Sequence, residues 1–126
     1  MDLPPSVRPL HATHDMLTLS DKPPFVYSLS RQRNIDAIEM TRIARGVDKA
    51  TINEEPSIFS VINASTPLRY DTVMLHGIQE MSASNQVIVI TPFTLAGAMA
   101  PITVAGALVL QNAEFEQSRY WPKKPA

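Results

Sequence analysis

Gln86-Val87-Ile88-Val89-Ile90 ends in an unbroken run of β-branched apolar residues, with none of the apolar-polar alternation of a half-solvated strand. Such a run predicts a strand buried on both faces, which is the environment of a parallel sheet covered by helices. Upstream, Asp71 is placed to cap a helix with Met74, Leu75, Ile78 and Met81 on one face and His76 and Glu80 pointing elsewhere. Before that lies a second β-rich run, Ser57-Ile58-Phe59-Ser60-Val61-Ile62, followed by a turn-like Asn63 to Arg69 segment containing Pro67. Further upstream, Asn34 or Asp36 caps a helix through Ile35, Ile38 and Ile43 that ends at Gly46, and Phe25-Val26-Tyr27-Ser28-Leu29 reads as the first strand. Downstream, Pro101 suits the start of a small-residue-rich helix over Ile102 to Glu114.

The predicted order is β-α-β-α-β-α, which argues for an α/β fold with parallel strands. A closed eight-fold barrel takes about 250 residues, so these 126 residues supply about three strand-helix units of a partial TIM-type (β/α) barrel. The expected organisation is a proline-rich leader or loop at residues 1–24, the partial barrel at 25–114, and a divergent tail at 115–126. Five of the eleven prolines fall in the first 24 residues, where no apolar period of 2 or 3.6 is sustained. They also interrupt any signal-peptide core, so export is not expected.

Composition narrows the function classes. Eleven basic and twelve acidic residues give a net charge of -1, so no positive field exists to hold nucleic acid or an anionic membrane. The lack of cysteine excludes disulfides, thiolate zinc sites and a cysteine nucleophile, and fits a reducing cytoplasm. No charge occurs between Glu80 and Glu114, long enough for a membrane span, but Pro92 and Pro101 divide the interval and its start is β-branched. A buried α/β core is the better reading.

Chemistry is sparse. His11 and His14 have an H-x-x-H spacing, but their segment shows no helical pattern and no third ligand, so a solvated pair is expected rather than a metal site. His76 reads as a surface histidine. Neither a glycine-rich phosphate loop nor a G-x-S-x-G nucleophile elbow occurs. Ligands of α/β sheets and barrels bind beyond the carboxyl ends of the strands, here Ser28 to Ser30, Asn63 to Tyr70 and Thr91 to Leu95. Within these segments Asn63 can donate and accept hydrogen bonds, Arg69 can pair with a carboxylate, and Tyr70 and Phe93 can face a cation. Each also has a structural reading: Asn63 ties a turn, Arg69 pairs with Asp71, and Phe93 is core.

Two strings carry a resemblance. Ile62-Asn63-Ala64-Ser65-Thr66-Pro67-Leu68-Arg69-Tyr70-Asp71, together with Thr91-Pro92-Phe93-Thr94-Leu95-Ala96-Gly97-Ala98-Met99-Ala100-Pro101-Ile102-Thr103-Val104-Ala105-Gly106-Ala107-Leu108 and Gln111-Asn112-Ala113-Glu114, closely resembles the trimethylamine methyltransferase family. Asp21-Lys22-Pro23 and Ile38-Glu39-Met40 extend it. The resemblance implies a TIM-barrel enzyme that hands a methyl group from a methylated or quaternary amine to the cobalt of a separate corrinoid protein, with no cofactor bound directly. For such a substrate, by position and chemistry, Tyr70 and Phe93 suit an aromatic cage for the cation and Arg69 a carboxylate on a betaine-like substrate, with Asn63 a further candidate for substrate binding. Family members are several times longer, and the founding ones carry a pyrrolysine in a part with no counterpart here, so the expectation is a piece of such an enzyme, inactive alone. A non-catalytic binding module, oligomerising to cover its open strands, is the alternative; a membrane-anchored chain ranks third.

Overall fold

A computed structural model describes residues 3–121. Its elements run α1 (Arg8–Leu19), β1 (Phe25–Tyr27), α2 (Arg31–Arg45), α3 (Lys49–Glu54), β2 (Phe59–Ala64), α4 (Thr72–Ala83), β3 (Val87–Pro92) and α5 (Val104–Ser118). The three strands form one parallel sheet in the order β1-β2-β3. Register aligns Phe25 with Phe59 and Val87, Tyr27 with Val61 and Val89, and Asn63 with Thr91. The expected α/β class and parallel strands are thus present.

Strand side chains alternate between faces. On one face Val26, Ser60, Ile62 and Ala64 are buried, and α2 and α4 pack there against the sheet and each other. Val26, Ala37, Ile38, Ile52, Ile58 and Met81 form a continuous core cluster with Ile88 packed against it. Each fully buried isoleucine of this core contributes about 2 kcal/mol. On the other face Phe25, Tyr27, Phe59, Val61, Asn63, Val87, Val89 and Thr91 stand partly or fully exposed. That asymmetry corrects the reading of β3 as a strand buried on both sides: Val87 and Val89 are 47% and 40% exposed. The run is β-branched as such a strand requires, but the described chain covers only one side of it.

Helix boundaries follow local chemistry. Asp71 caps α4 as expected, its Oδ1 accepting from the Met74 N–H at 2.8 Å. Gly46 closes α2 in the left-handed region at φ 65°, donating its N–H to the Ile43 carbonyl. The start of α2 differs: Ser30 is the cap, its Oγ accepting from Arg33 N–H, rather than Asn34 or Asp36. Asn34 is instead buried with Ala37, Ile38 and Thr41, while Ile35 and Ile43 are exposed, so only Ile38 of the expected apolar face reaches the core. The connection before β2 contains α3, capped by Asp48 and inserting Ile52 into the core.

The stretch expected as a leader or loop holds α1, which packs against α2 and β1. Its prolines do not oppose this, because a proline within the first turn lacks only an N–H that has no helical partner anyway. His11 and His14 therefore do lie on a helix, but both are exposed, His14 pairs with Asp15 at 3.2 Å, and no metal-holding cluster occurs among the described residues. His76 is half-buried rather than on the open surface. At the other end α5 begins at Val104, capped by Thr103, and continues past Glu114 to Ser118 beside β3. The helix thus enters the expected tail, whose residues 122–126 lie outside the described part. Among the described residues no helix is long and apolar enough to cross a membrane.

Candidate functional site

The carboxyl ends of β2 and β3 bring two polar residues together on the uncovered face. Asn63 and Thr91 are register partners, and the Thr91 hydroxyl donates to Asn63 Oδ1. That bond orients the carboxamide and leaves its N–H2 group with no protein acceptor among the described residues. Below this row, toward the amino ends, lie Tyr27, Val61 and Val89, then Phe25, Phe59 and Val87. The Phe25 ring meets Tyr27 edge-on at 4.5 Å and Phe59 at 5.5 Å. None of the strand residues described on this face is charged, although Arg8 and Arg33 line a cavity with Phe25 and Tyr27 at the β1 edge.

The segment after β2 is a tight, anchored loop. Ser65 N–H donates to the Arg69 carbonyl at 2.7 Å, the Thr66-Pro67 peptide is cis, and Leu68 lies at φ 51°. Arg69 is exposed and forms no ion pair with a described residue. Pairing with Asp71 does not occur, since that carboxylate is engaged in capping α4. Tyr70 is half-buried, and its hydroxyl donates to the Glu114 carbonyl at 2.9 Å. Burial pushes its phenol above the usual tyrosine range; a hydrogen bond with Ser118 opposes this and the charge of Glu114 adds to it.

Phe93, just past β3, is 57% exposed and makes no ring contact with Tyr70. It is thus not core, and the two rings of the expected cage are not joined. The four expected residues occupy one end of the sheet: Asn63 on the face itself, Arg69 and Tyr70 in the loop that follows it, Phe93 after the neighbouring strand. A groove of about 530 Å³ lies elsewhere, between β3 and α5, lined by Ile90, Pro92, Leu108, Val109, Gln111, Asn112 and Phe115. Two residues given no role by sequence reasoning are engaged here. Thr91 fixes the Asn63 amide, a relation visible only once register is known. Glu114 reaches the loop from α5 across more than forty residues, with no local pattern to announce it.

The family profile of trimethylamine methyltransferases matches residues 1–117. A glycine betaine methyltransferase of Desulfitobacterium hafniense (strain Y51) is 35% identical over 113 residues, which cover 90% of this chain. The chain spans 23% of the length of that relative. The match to the family reaches from α1 through nearly all of α5, and on that ground the chain belongs to the trimethylamine methyltransferase family.

Proposed function

We propose that the chain forms one wall, three strand-helix units, of a TIM-type barrel that passes a methyl group from a methylated or quaternary amine to a corrinoid on a partner protein. The observation that carries the reading is the uncovered sheet face. Its side chains stand in register rows, aromatic and aliphatic toward the amino ends and polar, Asn63 with Thr91, at the carboxyl end. Such rows support reading the face as part of a barrel interior, with a binding rim at the carboxyl ends of the strands.

The substrate class that fits is a quaternary amine bearing a carboxylate, like the glycine betaine named for the relative. Among the described residues Arg69 has no ion-pair partner and the Asn63 N–H2 group no acceptor, and both groups are suited to the carboxylate. Phe93 offers an exposed ring to the ammonium end. An uncharged apolar wall beneath the rim holds the cation by shape and ring faces without trapping it in an ion pair. The partner's corrinoid supplies the acceptor for the methyl group. What remains to this chain is binding and orientation, which matches a face lacking an acid or base poised for proton transfer. Because one side of the site is open, the chain by itself holds the amine without completing transfer.

A chimera tests the reaction. When residues of this chain replace the matching segment of the Desulfitobacterium enzyme, the folded product is expected to demethylate glycine betaine, with activity falling at least about tenfold on Arg69→Gln. A folded chimera inert toward every methylated amine would refute the reading. The exposed Tyr27 and Val89 also support a second one, an oligomeric binding module without catalysis. A defined oligomer that buries this face in the chain alone would favour it.

A further inference from the structure

Glu114 is fully buried, a rare setting for a glutamate, and it has no counter-cation among the described residues. Its two carboxyl oxygens are both occupied by the loop after β2: Oε2 accepts from the Thr66 hydroxyl at 3.0 Å and Oε1 from the Leu68 N–H at 2.9 Å. Its main-chain carbonyl accepts from Tyr70 at 2.9 Å. One residue of α5 therefore anchors positions 66, 68 and 70 of a loop more than forty residues away.

The loop needs such an anchor. Leu68 sits at φ 51°, a region that L residues with a Cβ seldom occupy, so local preference does not hold the bend. The N–H of this same residue is the one bound by Glu114. Arg69 lies between two anchored neighbours, and its carbonyl is tied to Ser65 N–H. Its carbonyl and the N–H of the preceding residue are thereby held, while its guanidinium is exposed and has no ion-pair partner among the described residues.

We infer that Glu114 is a positioning residue: by clamping Thr66, Leu68 and Tyr70 it fixes Arg69 at the rim, and so selects quaternary amines that carry a carboxylate over those that do not. The inference rests on the substrate class proposed above. It adds a specificity device in a helix that touches no substrate.

The test uses the full 126-residue chain, titrated by NMR with glycine betaine and with choline, which has the same trimethylammonium group but no carboxylate. The wild-type chain is expected to prefer betaine by about tenfold, the value of one charge-assisted contact. Glu114→Ala removes that preference, bringing betaine down to the choline level while choline binding stays unchanged. Glu114→Gln, which keeps an acceptor for Leu68 N–H, restores most of it. Thr66→Val deletes a single clamp bond, guards against a misfolded alanine variant, and is expected to lower the preference about threefold. In each weakened variant the Leu68 amide exchanges faster with solvent while the Ile62 amide in β2 stays protected. Proportional loss of both ligands, or an unchanged ratio, overturns the clamp alone and leaves the substrate class standing. A wild-type chain that binds neither ligand, or both equally, overturns the substrate class and the inference with it.

Discussion

Gly77→Ala is expected to destabilise the protein by about 2–3 kcal/mol, although alanine is the better helix former by about 1 kcal/mol. Gly77 is buried in α4 where that helix meets the sheet. A Cβ there would lie 2.2 Å from Ser28 Oγ and 2.8 Å from both Ser28 Cβ and Ile62 Cδ1. Ser28 has no freedom to yield, since its hydroxyl donates to the Val73 carbonyl at 2.9 Å and accepts from the Asn34 amide at 3.2 Å. Making room means breaking those bonds or lifting α4 off the strands. Urea unfolding measures the effect; a variant as stable as wild type would show that the helix does not approach β1 and β2 this closely.

A larger loss is expected for Gln86→Leu, about 3–5 kcal/mol. Gln86 is buried just before β3, and its side chain makes four bonds. Nε2 donates to the carbonyls of Ile52 and Ser84, each at 2.7 Å, and Oε1 accepts from the N–H groups of Ser57 at 2.8 Å and Ile58 at 3.3 Å. It therefore joins α3, the start of β2 and the turn before β3. Leucine is close in size, so the cost is that of unpaired buried backbone groups rather than of a cavity. Thermal and urea unfolding should agree on a loss of this order, and a change below about 1 kcal/mol would mean that water reaches these groups.

Gln86 marks where sequence reading succeeds and stops. As a letter it is only the polar start of an apolar run, and the strand that follows is legible from β-branching alone. The order of the strands and of α2, α4 and α5 is legible from the sequence too, helped by Asp71 and Gly46, whose cap chemistry acts within a few residues. Whatever depends on distant chain is not. Isoleucines 35, 38 and 43 look like one helical face, yet the surface that meets the sheet runs through Asn34, Ala37, Ile38 and Thr41, where small and polar side chains allow close approach. The prolines before β1 obscure α1, although one in the first turn is compatible with a helix.

The candidate site divides along the same line. Asn63, Arg69, Tyr70 and Phe93 can be chosen as strand-end residues with suitable chemistry, and all four do lie at the carboxyl end of the sheet. Their partners are the long-range part. Thr91 meets Asn63 only through parallel register, and Tyr70 is committed to Glu114 on a helix that sequence alone gives no reason to bring near it.

The most direct test of the central claim, that this rim receives a methylated amine, is a residue-resolved NMR titration of the chain with glycine betaine. Saturable shifts are expected at Asn63, Arg69 and Phe93, with Leu108 and Phe115 in the groove beside β3 unmoved. Shifts confined to that groove, or none at any concentration, would contradict it.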